Sequence, residues 1–96
     1  MNLGRAIREI RKSKSIGQEE LASLSGITQA RLSQIENGEK PGEETLNKIC
    51  EILKIAPPLV YVMAFDKEDY PAENGELYDR FHLIIEGLVK QVASVS

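Results

Sequence analysis

The 96-residue chain has no Trp, one Cys, one His and only 5% aromatic residues. With so few aromatics, any core must be built mainly from aliphatic side chains. The lone Cys50 excludes an intramolecular disulfide framework and reads as a buried, inert thiol. His82 has no second His and no Cys near it, so neither a zinc set nor a Cys/His or Ser/His/Asp catalytic arrangement can be assembled. Asp66, Glu68 and Asp69 lack the spacing and glycine of a calcium loop. No glycine-rich phosphate loop is present. No enzyme activity, metal or cofactor is therefore expected. The longest apolar run, roughly residues 56–65, holds two prolines and falls far short of the about 20 residues that span a bilayer. Met1 is followed by Arg5 and Arg8 without an apolar segment, so no signal peptide is expected. These absences predict a cytoplasmic protein with no membrane partner. Sustained strand alternation, repeats and low-complexity tracts are also missing, which leaves an all-α class.

An overall excess of positive charge is missing too, since the net charge is -3. Its distribution is uneven. Residues 1–56 carry nine Lys/Arg against eight Asp/Glu, and residues 57–96 carry three against seven. Arg5, Arg8, Arg11, Lys12 and Lys14 face only Glu9 in the first fourteen residues. A mildly basic front and an acidic back predict different partners at the two ends.

Helical periodicity fills most of the chain. Leu3, Ala6, Ile7 and Ile10 mark a first helix, broken at residues 13–17. A second is expected from Gln18, capped by Gly17, to a stop at Gly26. Thr28 caps a third, from Gln29 to about Glu36, with Leu32 and Ile35 inward and residues 37–38 as its end. Leu46, Ile49, Cys50 and Leu53 mark a fourth over residues 43–53. Pro57 and Pro58 open a fifth. Residues 66–76 read as a polar connector, and residues 77–95 as one more helix.

Only about four residues, LSGI, join the second and third helices. A tight glycine-containing turn between two short helices describes a helix-turn-helix. Ala22 is small where the helices would cross, and Gly26 suits a positive φ.

The run QEELASLSGITQARLSQIENGEKP, followed by ETLNKICEIL, closely resembles the helix-turn-helix of the phage repressor and Cro type (XRE-like, lambda repressor-like). The resemblance covers about residues 3–64. It implies a five-helix DNA-binding domain over residues 1–65, with the motif at about 18–37, that is generally dimeric and regulates transcription. It assigns Gln18 to a phosphate or an adjacent base edge. It makes Thr28, Gln29, Ala30 and Arg31 the first turn of a recognition helix, with Gln34 one turn on. Asn37 and Lys40 would meet the DNA backbone. It pairs Arg11 with Glu36 as a fold-holding ion pair. The residue chemistry is compatible, because Gln can bond adenine N6 and N7, and Arg guanine O6 and N7. Ala30 can only touch a thymine methyl. Gly17 and Gly42 stand where relatives often carry Ser or Thr, and Glu39 and Glu43 bring negative charge near the DNA side. Modest affinity per subunit is expected.

The last helix places Leu77, Phe81, Ile84, Leu88 and Val92 in one stripe, widened by Tyr78, Ile85 and Val89. The stripe reads either as a cap on the chain's own core or, as the favoured and compatible reading, as a dimer interface built from Leu77, Phe81, Ile84, Ile85, Leu88 and Val92. Residues 66–96 are thus read as an acidic connector plus a dimerisation or partner-binding helix. The expected partners are double-stranded DNA and a second copy of the chain. The alternative readings are an antitoxin that grips a protein partner through residues 66–96, and a restriction–modification controller.

Overall fold

The computed structural model describes residues 1–69 and 75–94, with the side chains of residues 67, 77, 89, 90 and 92–94 left aside. Its regular elements are α1 (Leu3–Ser13), α2 (Gln18–Ser25), α3 (Gln29–Glu36), α4 (Glu43–Leu53), α5 (Pro57–Ala64) and α6 (Gly75–Ser94). A 3-10 turn over Lys67–Asp69 lies in the connector. The fold is the all-α, lambda repressor-like arrangement with one helix added. Two details differ from expectation. The helix α6 begins two residues early, at Gly75, and the connector is partly ordered into the 3-10 turn.

The helices start and stop for identifiable reasons. Asn2 caps α1 by accepting from the Arg5 backbone N–H at 2.9 Å. Thr28 does the same for α3, accepting from the Arg31 N–H at 3.0 Å. Each cap satisfies one of the backbone donors that a helix start leaves open. Gly17 and Gly42 begin α2 and α4 with no side-chain cap, and Glu19, Glu20, Glu43 and Glu44 supply negative charge to those first turns. The α2 stop is Gly26, at φ +72°. There the Ile27 N–H reaches back to the Ala22 carbonyl at 3.0 Å, which sets the tight turn into α3.

One core joins α1 to α5. Leu3, Ala6, Ile7, Ile10, Leu21, Ala22, Leu32, Ile35, Leu46, Ile49, Leu53 and Val60 are buried in it, and Cys50 lies among them. Burial pushes the Cys50 thiol pKa up, because the thiolate would lose its solvation. Helix α1 approaches α3 tightly at Gly4. A Cβ there would lie 1.9 Å from the Ile35 carbonyl oxygen, so no side chain fits.

Helix α6 packs on α1 and α5. Among its described side chains only Ile85 enters the core. Ile85, expected at the dimer interface, is instead buried at the stripe's inner edge against its own domain. Phe81, Ile84 and Leu88 remain 38%, 60% and 43% exposed. Leu77 and Val92, also expected in that stripe, lie outside the described side chains. His82 stacks on Tyr78 with ring centroids 5.5 Å apart, and its Nε2 lies 3.1 Å from Glu86 Oε1.

The basic front is less available than its charge count implies. Arg5 turns inward, donating from Nη2 to the Met63 carbonyl at 3.2 Å, the Phe65 carbonyl at 3.4 Å and Asp66 Oδ1 at 2.9 Å. It thereby satisfies the open carbonyl end of α5 and ties the connector to α1. Arg11 is buried. Arg8, Lys12 and Lys14 are the members of the cluster that stay at the surface.

Candidate nucleic-acid interface

Short as it is, α3 has two distinct sides. Leu32, Ile35 and Glu36 are buried, whereas Gln29, Ala30 and Gln34 are exposed and Arg31 is half-exposed. Thr28, Asn37 and Lys40 are exposed beside them. Spacing brings residues 30, 31 and 34 to one side of the helix, with Gln29 adjoining at its start. The structure therefore groups these residues, all expected to meet DNA, around one helix and the loop that follows it, while Gln18, expected there too, opens α2.

The underside of this face is braced by charge. Arg11 donates from Nε to Glu36 Oε2 at 2.9 Å and from Nη2 to Glu36 Oε1 at 3.0 Å. Its Nη1 donates to the Ile16 carbonyl at 3.0 Å. The Glu36 side chain is 2% exposed and that of Arg11 10%. Such bidentate pairing satisfies most of the polar valence that burial strips of water. It also links the end of α1, the α1–α2 turn and the end of α3.

From Glu36 the network climbs to the surface. Gln18 Nε2 donates to Glu36 Oε1 at 3.2 Å, and Gln29 Nε2 donates to Gln18 Oε1 at 3.4 Å. The Gln18 amide therefore holds Gln29 at the α3 start, and both of its ends are engaged within the chain. A residue expected to meet phosphate thus also orients a neighbour. The α3 side chains differ in how they are held. Thr28 Oγ1 is the cap, and Asn37 Nδ2 donates to Ser33 Oγ at 3.4 Å. Arg31 is turned toward the following loop, where Nη1 bonds Glu39 and Nη2 donates to the Lys40 carbonyl at 3.5 Å.

Glu39 enters here as more than a stray negative charge. Its backbone N–H bonds the Gln34 carbonyl at 3.0 Å, which folds residues 37–40 back beside α3. The sequence signal was the NGEKP run itself, but its return direction depends on Gly38, at φ +122°, and on buried Pro41.

A family model described as helix-turn-helix matches residues 7–60, which contain α2, α3 and the turn between them. The chain belongs to that family. Among relatives, it is 29% identical over 85 residues to the uncharacterized HTH-type transcriptional regulator RghRB of Bacillus subtilis, covering 86% of this chain and 61% of that one. It is 32% identical over 77 residues to the uncharacterized HTH-type transcriptional regulator MT0491 of Mycobacterium tuberculosis, covering 79% and 54%. With the HTH-type transcriptional repressor RghR of Bacillus subtilis it shares 30% identity over 98 residues, covering 88% and 73%. The chain thus spans just over half the length of the first two relatives. No described helix of this family member is long and apolar enough to cross a membrane. Among the described residues no group of three or more His, Cys, Asp or Glu could hold a metal ion.

Proposed function

We propose that the chain is a sequence-specific, double-stranded-DNA-binding transcription regulator, a repressor that acts as a homodimer on a pseudo-palindromic operator. The observation that carries this reading is the division of α3. Its buried side needs Leu32, Ile35 and Glu36 for the fold. Its other side carries Gln29, Arg31 and Gln34, whose hydrogen-bonding groups no core contact requires. Lying in a major groove, Gln29 and Gln34 would address adenine edges, Arg31 a guanine edge, and Ala30 a thymine methyl. Gln18, Thr28, Asn37 and Lys40 would meet the backbone and set the register.

Few base contacts per subunit make pairing necessary. Each good bidentate contact discriminates by only about 1–3 kcal/mol. Two copies would place their recognition helices about 34 Å apart, one turn of DNA. The α6 face of Phe81, Ile84 and Leu88 supports this role. Among the described α6 side chains only Ile85 is buried in the chain's own core, and Phe81, Ile84 and Leu88 keep a large exposed apolar area. A second copy would cover that stripe.

The test is selection of bound duplexes from a random pool, followed by titration. An enriched site with twofold symmetry, bound as a dimer, is expected. Recovery of no enriched sequence by a folded dimer in low salt would contradict the proposal.

A further inference from the structure

We infer that Glu39 gates Arg31: in the unbound chain its carboxylate holds the arginine of the recognition face, and firm DNA binding requires the guanidinium to pass from Glu39 to the nucleic acid. The inference deepens the DNA-binding reading above and rests on it.

Three observations lead here. First, both terminal nitrogens of Arg31 face the loop, one toward the Glu39 carboxylate and one toward the Lys40 carbonyl. A bidentate grip on guanine O6 and N7 needs two donors of that same fork, so Arg31 must rotate away before it can read a base. Second, the loop position is built. Glu39 and Gly38 donate their backbone N–H groups to Gln34 and Ile35, and Pro41 is buried behind them. Third, the pair is accessible to exchange. The side chains of Arg31 and Glu39 are 38% and 58% exposed, against 10% and 2% for Arg11 and Glu36.

The consequence is weaker binding overall. The free-state bond costs any complex that breaks it, up to the strength of the contact Arg31 gains in exchange. A phosphate offers one solvated ion pair and a guanine edge two directional hydrogen bonds. Glu39 therefore weakens matched complexes at least as much as phosphate-only ones.

The experiment titrates the wild-type chain, Glu39→Gln, Arg31→Ala and the double variant against two duplexes over a range of salt. One duplex is non-specific, and the other is the tightest that the wild type selects from a random pool. Thermal melts of all four proteins run alongside, and Glu39→Ala serves as a second removal of the carboxylate. Glu39→Gln should bind the non-specific duplex about two- to fivefold tighter, the span of an exposed ion pair. Its salt slope should steepen by about one phosphate contact, and it should bind the selected duplex tighter by at least the same factor. With Arg31→Ala in place, removing the carboxylate should recover less than half of that gain. The gate is overturned if the gain is absent, if binding weakens, or if the gain is equal with and without Arg31, which would indicate plain repulsion. If the folded wild type and all variants bind neither duplex, the DNA-binding reading fails and the gate falls with it.

Discussion

Arg11–Glu36 and Arg31–Glu39 join the same two side-chain types around one helix of eight residues, yet one pair is sealed beneath α3 and the other lies over it. Below, the Glu36 carboxylate receives two donors from Arg11 and a third from Gln18, and water is almost excluded. Above, the Glu39 carboxylate meets a half-exposed guanidinium in solvent. Identical chemistry thus serves rigidity in one place and exchange in the other. What separates them is desolvation: leaving a buried charge without its partner is costly, whereas water and salt readily replace an exposed one.

That contrast can be broken from the buried side first. Glu36→Ala should lower unfolding stability by about 3–5 kcal/mol, because Arg11 is left uncompensated in the interior. Urea denaturation followed by circular dichroism measures this, and a loss below about 1 kcal/mol would remove the pair from its structural role. Gly4→Ala should come next. Its added methyl meets the Ile35 carbonyl at 1.9 Å, so α1 must move from α3 at a cost of about 1–3 kcal/mol, and occasionally more. Arg11 and Glu36 lie on those same helices, so their distance should lengthen with it. Replacing Glu39 by Gln should change stability by no more than about 1 kcal/mol, as for other exposed pairs. A thermal melt that moved as far as that of Glu36→Ala would erase the distinction between the pairs.

The same comparison extends to α6, where Ile85 is buried and Ile84, the next residue in the chain, is exposed. On the proposed homodimer, Ile84→Asp should halve the mass measured by light scattering and leave the fold of residues 3–64 intact. Ile85→Asp should instead destabilise the chain itself, since an unpaired carboxylate would enter the core. Cys50 gives a quieter check. Burial raises its thiol pKa, so the reactive thiolate is scarcer than usual at neutral pH. Reaction with a thiol reagent should be slow in the folded chain and rapid in denaturant.

Much of the fold was legible because its signals are local. Apolar spacing located α1 to α5, and Thr28 and Gly26 marked ends by chemistry that depends on only a few neighbouring residues. Most of the features not read in advance depend on distant partners, the Asn2 cap being a local exception. Gly4 lies unremarked in an amphipathic pattern until α3 crosses it. Arg5 reads as one more surface cation until the end of α5 arrives beside it. Asn2 caps α1 from just outside the periodic stretch. Glu39 was visible as charge, but its hold on Arg31 needs the loop's return path. On α6 a single stripe covered two destinations, because periodicity gives a face and not the depth to which each residue sinks. The candidate site was readable in its residue types and, through the resemblance, in the Arg11–Glu36 pair, but not in its other bonds, above all the chain from Glu36 through Gln18 to Gln29.

The exposed side of α3 is proposed to read DNA sequence. The most direct measurement compares the wild type with the Gln29→Ala, Arg31→Ala double variant on the selected duplex and on a scrambled one. The variant should keep its fold, lose about 30- to 25,000-fold per subunit on the selected duplex, and then bind both duplexes nearly alike. A folded variant that still prefers the selected duplex as strongly as the wild type does would contradict the proposal.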